Sequence, residues 1–151
     1  MNEINFKHIS LYKSPEESPG YLLWRVSTQW RSSIEKVLKP LDLTHPQFVV
    51  LATLAWLTKE GNKVSQIDVG RMAALDPNST SQILRGLEAK KFIKRKHSID
   101  ERSKNPVLTE LGSTTLAQAM PAVEQADIQF FARLTDNQIK TIVPLFQTLM
   151  R

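Results

Sequence analysis

Between Asn78 and Arg85 the sequence sets out Asn78, Ser79, Ser81, Gln82 and Arg85, five side chains whose donors and acceptors suit the edges of base pairs. An asparagine or glutamine amide can bond adenine at two atoms, and an arginine can do the same to guanine or grip a phosphate. Small neighbours let a helix that carries them approach closely. Polar residues also cover any solvated helix, so the types alone decide little and the surroundings decide more. From Arg85 to Lys104 eight basic residues stand against three acidic ones, a net +5 that equals the charge of the whole 151-residue chain. A basic block beside a neutral remainder fits a polyanion partner. Within it Lys94, Arg95, Lys96 and Lys104 are phosphate-type contacts, which add affinity without sequence information. Arg102 stands apart. Asp100, two residues back, can hold its guanidinium in one orientation, as a narrow minor groove selects, or the two form a plain surface ion pair.

Other chemistries lack their residues. The chain has no cysteine, which removes disulfides, thiolate metal sites and a thiol nucleophile. Its three histidines (His8, His45, His97) show no metal-ligand spacing, and five glycines give little material for a phosphate-cradling loop. Neither Gly-x-Ser-x-Gly nor His-Glu-x-x-His occurs. No enzymatic activity, metal or cofactor is expected. The longest apolar run, from Phe48 to Leu57 with Thr53 inside it, is half of what a bilayer span needs. The first twenty residues hold no continuous apolar stretch of the signal-peptide kind. The expectation is a cytoplasmic protein without a membrane partner.

The elements that must position these residues follow from periodicity. Leu22, Leu23, Val26, Trp30, Ile34, Val37, Leu38 and Leu41 recur at helical steps and predict a helix over 21–41 that Pro40 closes. Before it, Ser14 to Gly20 reads as a linker, and the apolar residues of the arm (Ile4, Phe6, Ile9) must dock on their own domain or on a partner subunit. Thr44-His45-Pro46-Gln47 is a capping box for a helix to about Thr58 that is apolar nearly all round and therefore buried. Ser65 with Asp68 opens a short helix with Ile67, Val69 and Met72 inward, and Asp76-Pro77 opens another to about Lys90. The period then changes to two, with strands at Phe92–His97 and Lys104–Leu108 around a polar loop. Thr109 caps a long helix carrying Pro121, and Thr135 with Gln138 caps a last one bearing Ile139, Ile142, Val143, Phe146 and Leu149. A short helix, a tight turn, a polar-faced helix and a basic hairpin are laid out as in a winged helix-turn-helix, whose second helix enters the major groove of double-stranded DNA.

Leu75-Asp76-Pro77-Asn78-Ser79-Thr80-Ser81-Gln82-Ile83-Leu84, then Leu87-Glu88 and Phe92-Ile93-Lys94-Arg95, resemble the multiple antibiotic resistance regulator (MarR) family. Asp100-Glu101-Arg102 followed by Leu108-Thr109-Glu110-Leu111-Gly112 is similar to it too, as is Leu38 to Thr44 upstream, so the resemblance spans about residues 20–150. Two positions depart from the family pattern. Lys91 stands where a glycine usually ends the recognition helix, and is expected to add a phosphate contact; Gly70 stands where an alanine is usual, and is expected to loosen its helix.

The resemblance implies a mainly α fold with a small β-hairpin wing, a winged helix-turn-helix with N- and C-terminal dimerisation helices. The chain divides into an arm and linker (1–20), a dimerisation region (21–41 and 110–151) and a DNA-binding lobe (42–109). It implies a homodimer on a pseudo-palindromic operator, and a repressor released by a small aromatic or anionic ligand. Ile139, Ile142, Val143, Phe146 and Leu149 are the expected interface, or else intramolecular core. Tyr21, Trp24, Arg25, Trp30 and Phe48 are the expected effector contacts, although Trp30 and Phe48 suit a core equally well. The alternatives are an activator or anti-repressor on the same fold, and a helical interaction module whose basic hairpin meets nucleic acid or acidic proteins without sequence preference.

Overall fold

Ser18, Thr44, Ser65, Asp76, Thr109 and Thr135 share one geometry: each has an extended backbone, and its side chain accepts the N–H of the residue three positions on. Each satisfies an otherwise orphaned amide and so starts a helix. In the computed structural model, which describes residues 4–96 and 105–151 and the backbone alone of Lys96, these starts give α1 (Pro19–Leu38), α2 (His45–Thr58), α3 (Gln66–Met72), α4 (Pro77–Ala89), α5 (Glu110–Phe131) and α6 (Asp136–Leu149). Between α4 and α5 lies an antiparallel pair, β1 (Ile93–Lys96) and β2 (Asn105–Leu108), with Ile93 opposite Leu108 and Arg95 opposite Pro106. Among the described residues no helix is long and apolar enough to cross a membrane.

The all-round apolar α2 is the centre. It packs on α1, α3, α4, α5 and β2, burying Phe48, Val50, Leu51 and Leu54 against Ile34 and Leu38 of α1, Leu84 and Leu87 of α4, and Ile93. The long α5 lies along α1 and contributes Leu116, Ala119, Val123 and Ala126. No residue of α6 is buried by its own chain.

Two expectations need correction and a third needs extension. Pro19 and Gly20 are the first turn of α1 rather than linker, because Ser18 is the cap and proline suits the first helical position. Ile67 and Met72 are 68% and 51% exposed, so only Val69 and Gly70 of α3 face inward; Ile67 lies about 200° round the helix from Val69, so the two cannot share a face. Gly70 has a packing role beyond the expected loosening of α3. A Cβ there would stand 2.7 Å from Thr80 Oγ1, so the missing side chain lets α3 and α4 approach, and buried Thr80 fills the space.

Candidate nucleic-acid interface

The recognition helix is set by the turn before it. Ala74 adopts a left-handed φ of +53°, and Leu75 N–H reaches back to the carbonyl of Gly70 at 2.9 Å, a helix stop that usually favours glycine. Two residues on, Asp76 Oδ1 accepts Ser79 N–H at 2.9 Å and Oδ2 accepts the Ser79 hydroxyl at 2.5 Å. Those bonds hold the Asp76 carboxyl below the usual carboxylate range, and the equivalent bonds from Ser65 do the same for Asp68 in α3. Thr80 turns inward, its hydroxyl on the Asp76 carbonyl at 2.8 Å. Asn78, Gln82 and Arg85 are exposed and spaced by four and three, one stripe along α4. Ser79 and Ser81 are half-buried beside it, and the Ser79 hydroxyl proton is already engaged by Asp76.

The wing divides its cations by face. Lys94 is exposed. Arg95 departs from the expectation of a phosphate contact: its side chain is 8% exposed, with Nε on Glu88 Oε2 at 3.1 Å and Nη1 on Gln66 Oε1 at 3.3 Å. It fastens β1 to the ends of α3 and α4. The signal was in the alternation, since Arg95 shares a face with buried Ile93 whereas Lys94 points the other way. Lys96 continues β1, and Asp100, Arg102 and Lys104 lie outside the described residues.

The Leu-Thr-x-x-Gly segment anchors the wing to the helical frame, a job that the motif alone did not reveal. The Thr109 hydroxyl lies 2.7 Å from the carbonyl of Lys91 and 3.1 Å from that of Phe92, and accepts Gly112 N–H at 3.0 Å. A Cβ at Gly112 would sit 1.9 Å from the Phe92 oxygen, so only glycine fits. Lys91, just before, holds a φ of +63°, which is why glycine is the natural occupant of that position.

The five expected effector contacts are not gathered on one face. Phe48 is 7% exposed and belongs to the core. Trp30 Nε1 donates to Asp127 Oδ1 at 2.7 Å and its ring meets the buried His45 edge-on at 5.0 Å, joining α1, α2 and α5. Burial, with Arg31 second, pushes the His45 imidazole below its ordinary pKa. Tyr21, Trp24 and Arg25 are exposed at the start of α1, where Arg25 Nη1 donates to the Tyr21 hydroxyl at 3.3 Å. Tyr21 and Trp30 are nine positions apart, about half a turn out of phase on a helix, so one cavity of one protomer cannot take both.

The expected interface residues are open to solvent or half-buried. Val143, Phe146 and Leu149 are exposed, Ile139 and Ile142 half-buried, and Leu145 and Ile128 extend the same apolar surface. Two grooves run beside it. One of about 580 Å³ lies between α5 and α6, lined by Phe131, Ile139, Val143 and Phe146 among others. The other, of about 640 Å³, adds Val26 and Gln29 of α1.

No family model matches the chain. Over 124 residues it is 36% identical to the HTH-type transcriptional regulator YdcH of Bacillus subtilis, across 82% of this chain and 84% of that one. It is 32% identical over 131 residues to the HTH-type transcriptional repressor Rv2887 of Mycobacterium tuberculosis, covering 86% of this chain and 91% of the repressor. The crystal structure of Rv2887, described as a MarR family protein in complex with p-aminosalicylic acid, matches 89% of this chain and 99% of its own at a TM-score of 0.67 and 31% identity. A further Rv2887 structure is a complex with DNA. BpsR of Bordetella bronchiseptica, whose structure concerns regulation of DNA binding by 6-hydroxynicotinic acid, gives a TM-score of 0.80 at 25% identity over 93% of this chain and 99% of that one.

Proposed function

The chain belongs to the MarR family of winged helix-turn-helix transcriptional regulators, and from that membership we propose that it is a cytoplasmic, non-enzymatic repressor that binds a pseudo-palindromic DNA site as a homodimer and is released by a small aromatic acid. The observation that carries the reading is the stripe of Asn78, Gln82 and Arg85, exposed on a helix whose start is fixed by Asp76 and whose flank carries exposed Lys94. Amide and guanidinium groups on a rigid helix read base edges in a major groove, while the wing lysines hold phosphates. Ser79, Ser81, Lys96, Asp100, Arg102 and Lys104 complete the proposed DNA surface, and Arg95 supports it from within.

The apolar stretch of α6, with Ile139, Ile142, Val143, Phe146 and Leu149, is the proposed contact with the second protomer, since apolar area of this kind is otherwise exposed to water. The small-acid effector is supported by the aromatic acids named for Rv2887 and BpsR; Tyr21, Trp24 and Arg25 offer accessible aromatic and cationic groups at the start of α1. A footprint on duplexes enriched from a random-sequence pool tests the reading. It should show two symmetric half-sites about 10 base pairs apart, and p-aminosalicylic acid should weaken the protection. A single unsymmetric site, or equal affinity for enriched and unselected DNA at every salt concentration, overturns it.

A further inference from the structure

We propose that Lys90 is a positioning residue that pins the end of the recognition helix to the turn between α1 and α2, and that it is not one of the phosphate contacts its place in the basic block suggests. The inference rests on the DNA-binding reading and goes beyond it. Lys90 caps the C-terminal end of α4. Its Nζ lies 2.7 Å from the Asp42 carbonyl, 3.1 Å from Asp42 Oδ1 and 3.0 Å from Gln47 Oε1. An ammonium has three protons to donate, and three acceptors stand within reach of it.

Two of the three acceptors, the Asp42 carbonyl and Gln47 Oε1, are tied into local backbone structure, while the Asp42 carboxylate is largely exposed. Asp42 stops the turn that follows α1, in a left-handed backbone with φ of +54°. Gln47 Oε1 also accepts Thr44 N–H at 3.2 Å, closing the capping box that opens α2. The cation therefore joins the end of α4, the end of α1 and the start of α2 at one point. Gly86, one turn earlier on α4, belongs to the same junction: a Cβ there would stand 3.0 Å from Gln47 Nε2.

The consequence is geometric. The 13 residues of α4 make a rod about 20 Å long, so a tilt of about 3° at one end moves the other by roughly 1 Å. Base-edge hydrogen bonds tolerate only a few tenths of an ångström. Thr80 against Gly70 locates the N-terminal end of the rod, and Lys90 locates the other. Loosening Lys90 should misalign Asn78 and Gln82 and cost discrimination, whereas loss of a phosphate contact weakens all sequences alike.

The test compares Lys90→Met, Asp42→Asn and Lys94→Met with the parent on duplexes the parent enriches from a random-sequence pool, and on the unselected pool, across a salt series. Lys94→Met should lose affinity on both and flatten the salt slope by about 0.9, one phosphate. Lys90→Met should leave the slope unchanged and lose about tenfold on enriched duplexes only, the worth of one misaligned base contact. Asp42→Asn gives opposite signs for the two accounts. Removing an anion near DNA tightens binding by simple electrostatics, whereas a weakened pin lowers affinity for the enriched duplex. Asparagine tolerates the left-handed backbone, so this variant keeps the test open if Lys90→Met folds poorly. A slope reduced by about 0.9 in Lys90→Met, a Lys90→Met protein indistinguishable from the parent, or tighter binding by Asp42→Asn overturns the pin. A parent that enriches no duplex overturns the DNA-binding reading along with it.

Discussion

Two residues in the wing's root show how single side chains set this molecule's tolerance. Gly112 lies where a Cβ would meet the Phe92 carbonyl at 1.9 Å, and that carbonyl also receives Thr109 N–H at 3.1 Å, so it has little room to give. Gly112→Ala should destabilise the fold by about 2 kcal/mol or more, read from urea denaturation. Lys91 is the reverse case. A non-glycine residue at φ +63° carries a steric cost of roughly 1 kcal/mol that glycine would not. Lys91→Gly should therefore raise the denaturation midpoint while weakening DNA binding through loss of one cation, and its salt slope should fall by about 0.9. A variant no more stable than the parent would contradict the backbone account, and an unchanged slope would contradict the phosphate contact. Lys91 departs from the glycine of the family pattern, and the left-handed φ supplies the reason glycine is usual there.

At the scale of elements, five of the six helix starts were legible because capping is local chemistry; the exception is Ser18, which caps α1 from inside the expected linker. Thr44 with Gln47, Ser65 with Asp68 and Thr135 with Gln138 all close as boxes, each within four residues of chain. What stayed illegible depends on distant partners. The inward turn of Arg95 needs Glu88 and Gln66, and the packing of Trp30 between helices needs Asp127 and His45, although its half-turn offset from Tyr21 follows from helical spacing alone. The alternation from Ile93 could have placed Arg95, had its charge not drawn it into the phosphate set. The titrating groups make a prediction at this scale. Asp68 and Asp76 are held below their ordinary values in the folded chain, so their contribution is present above about pH 4 and is lost as pH falls further. His45 is also lowered, by burial, so its contribution is present above about pH 6.5 and is lost as the imidazole is forced to charge. Stability measured by circular dichroism should fall in two steps on acidification. Asp68→Asn with Asp76→Asn keeps both caps and should flatten the lower step, while His45→Gln should flatten the upper one. Unaltered steps would mean that other groups govern them.

For the whole molecule, the architecture separates what reads from what assembles. The core binds α2 to both halves, while the apolar face of α6 and the grooves beside it are left to a second protomer in the proposed dimer. The +5 block resolves into different jobs: buried Arg95 braces the lobe from within, Lys90 is engaged by Asp42 and Gln47 at the edge of the lobe, and Arg85 and Lys94 face outward. Charge alone could not make that division, because it depends on which cations find carboxylates and carbonyls in the fold. The central claim is that α4 reads sequence. The most direct test is the affinity of the parent and of Gln82→Ala for an enriched duplex and for its single-base-pair variants. The account predicts that Gln82→Ala loses preference at one base pair of each half-site, worth about 1–3 kcal/mol, with the other positions still discriminated. A uniform loss across every variant would place Gln82 on the backbone and contradict the claim.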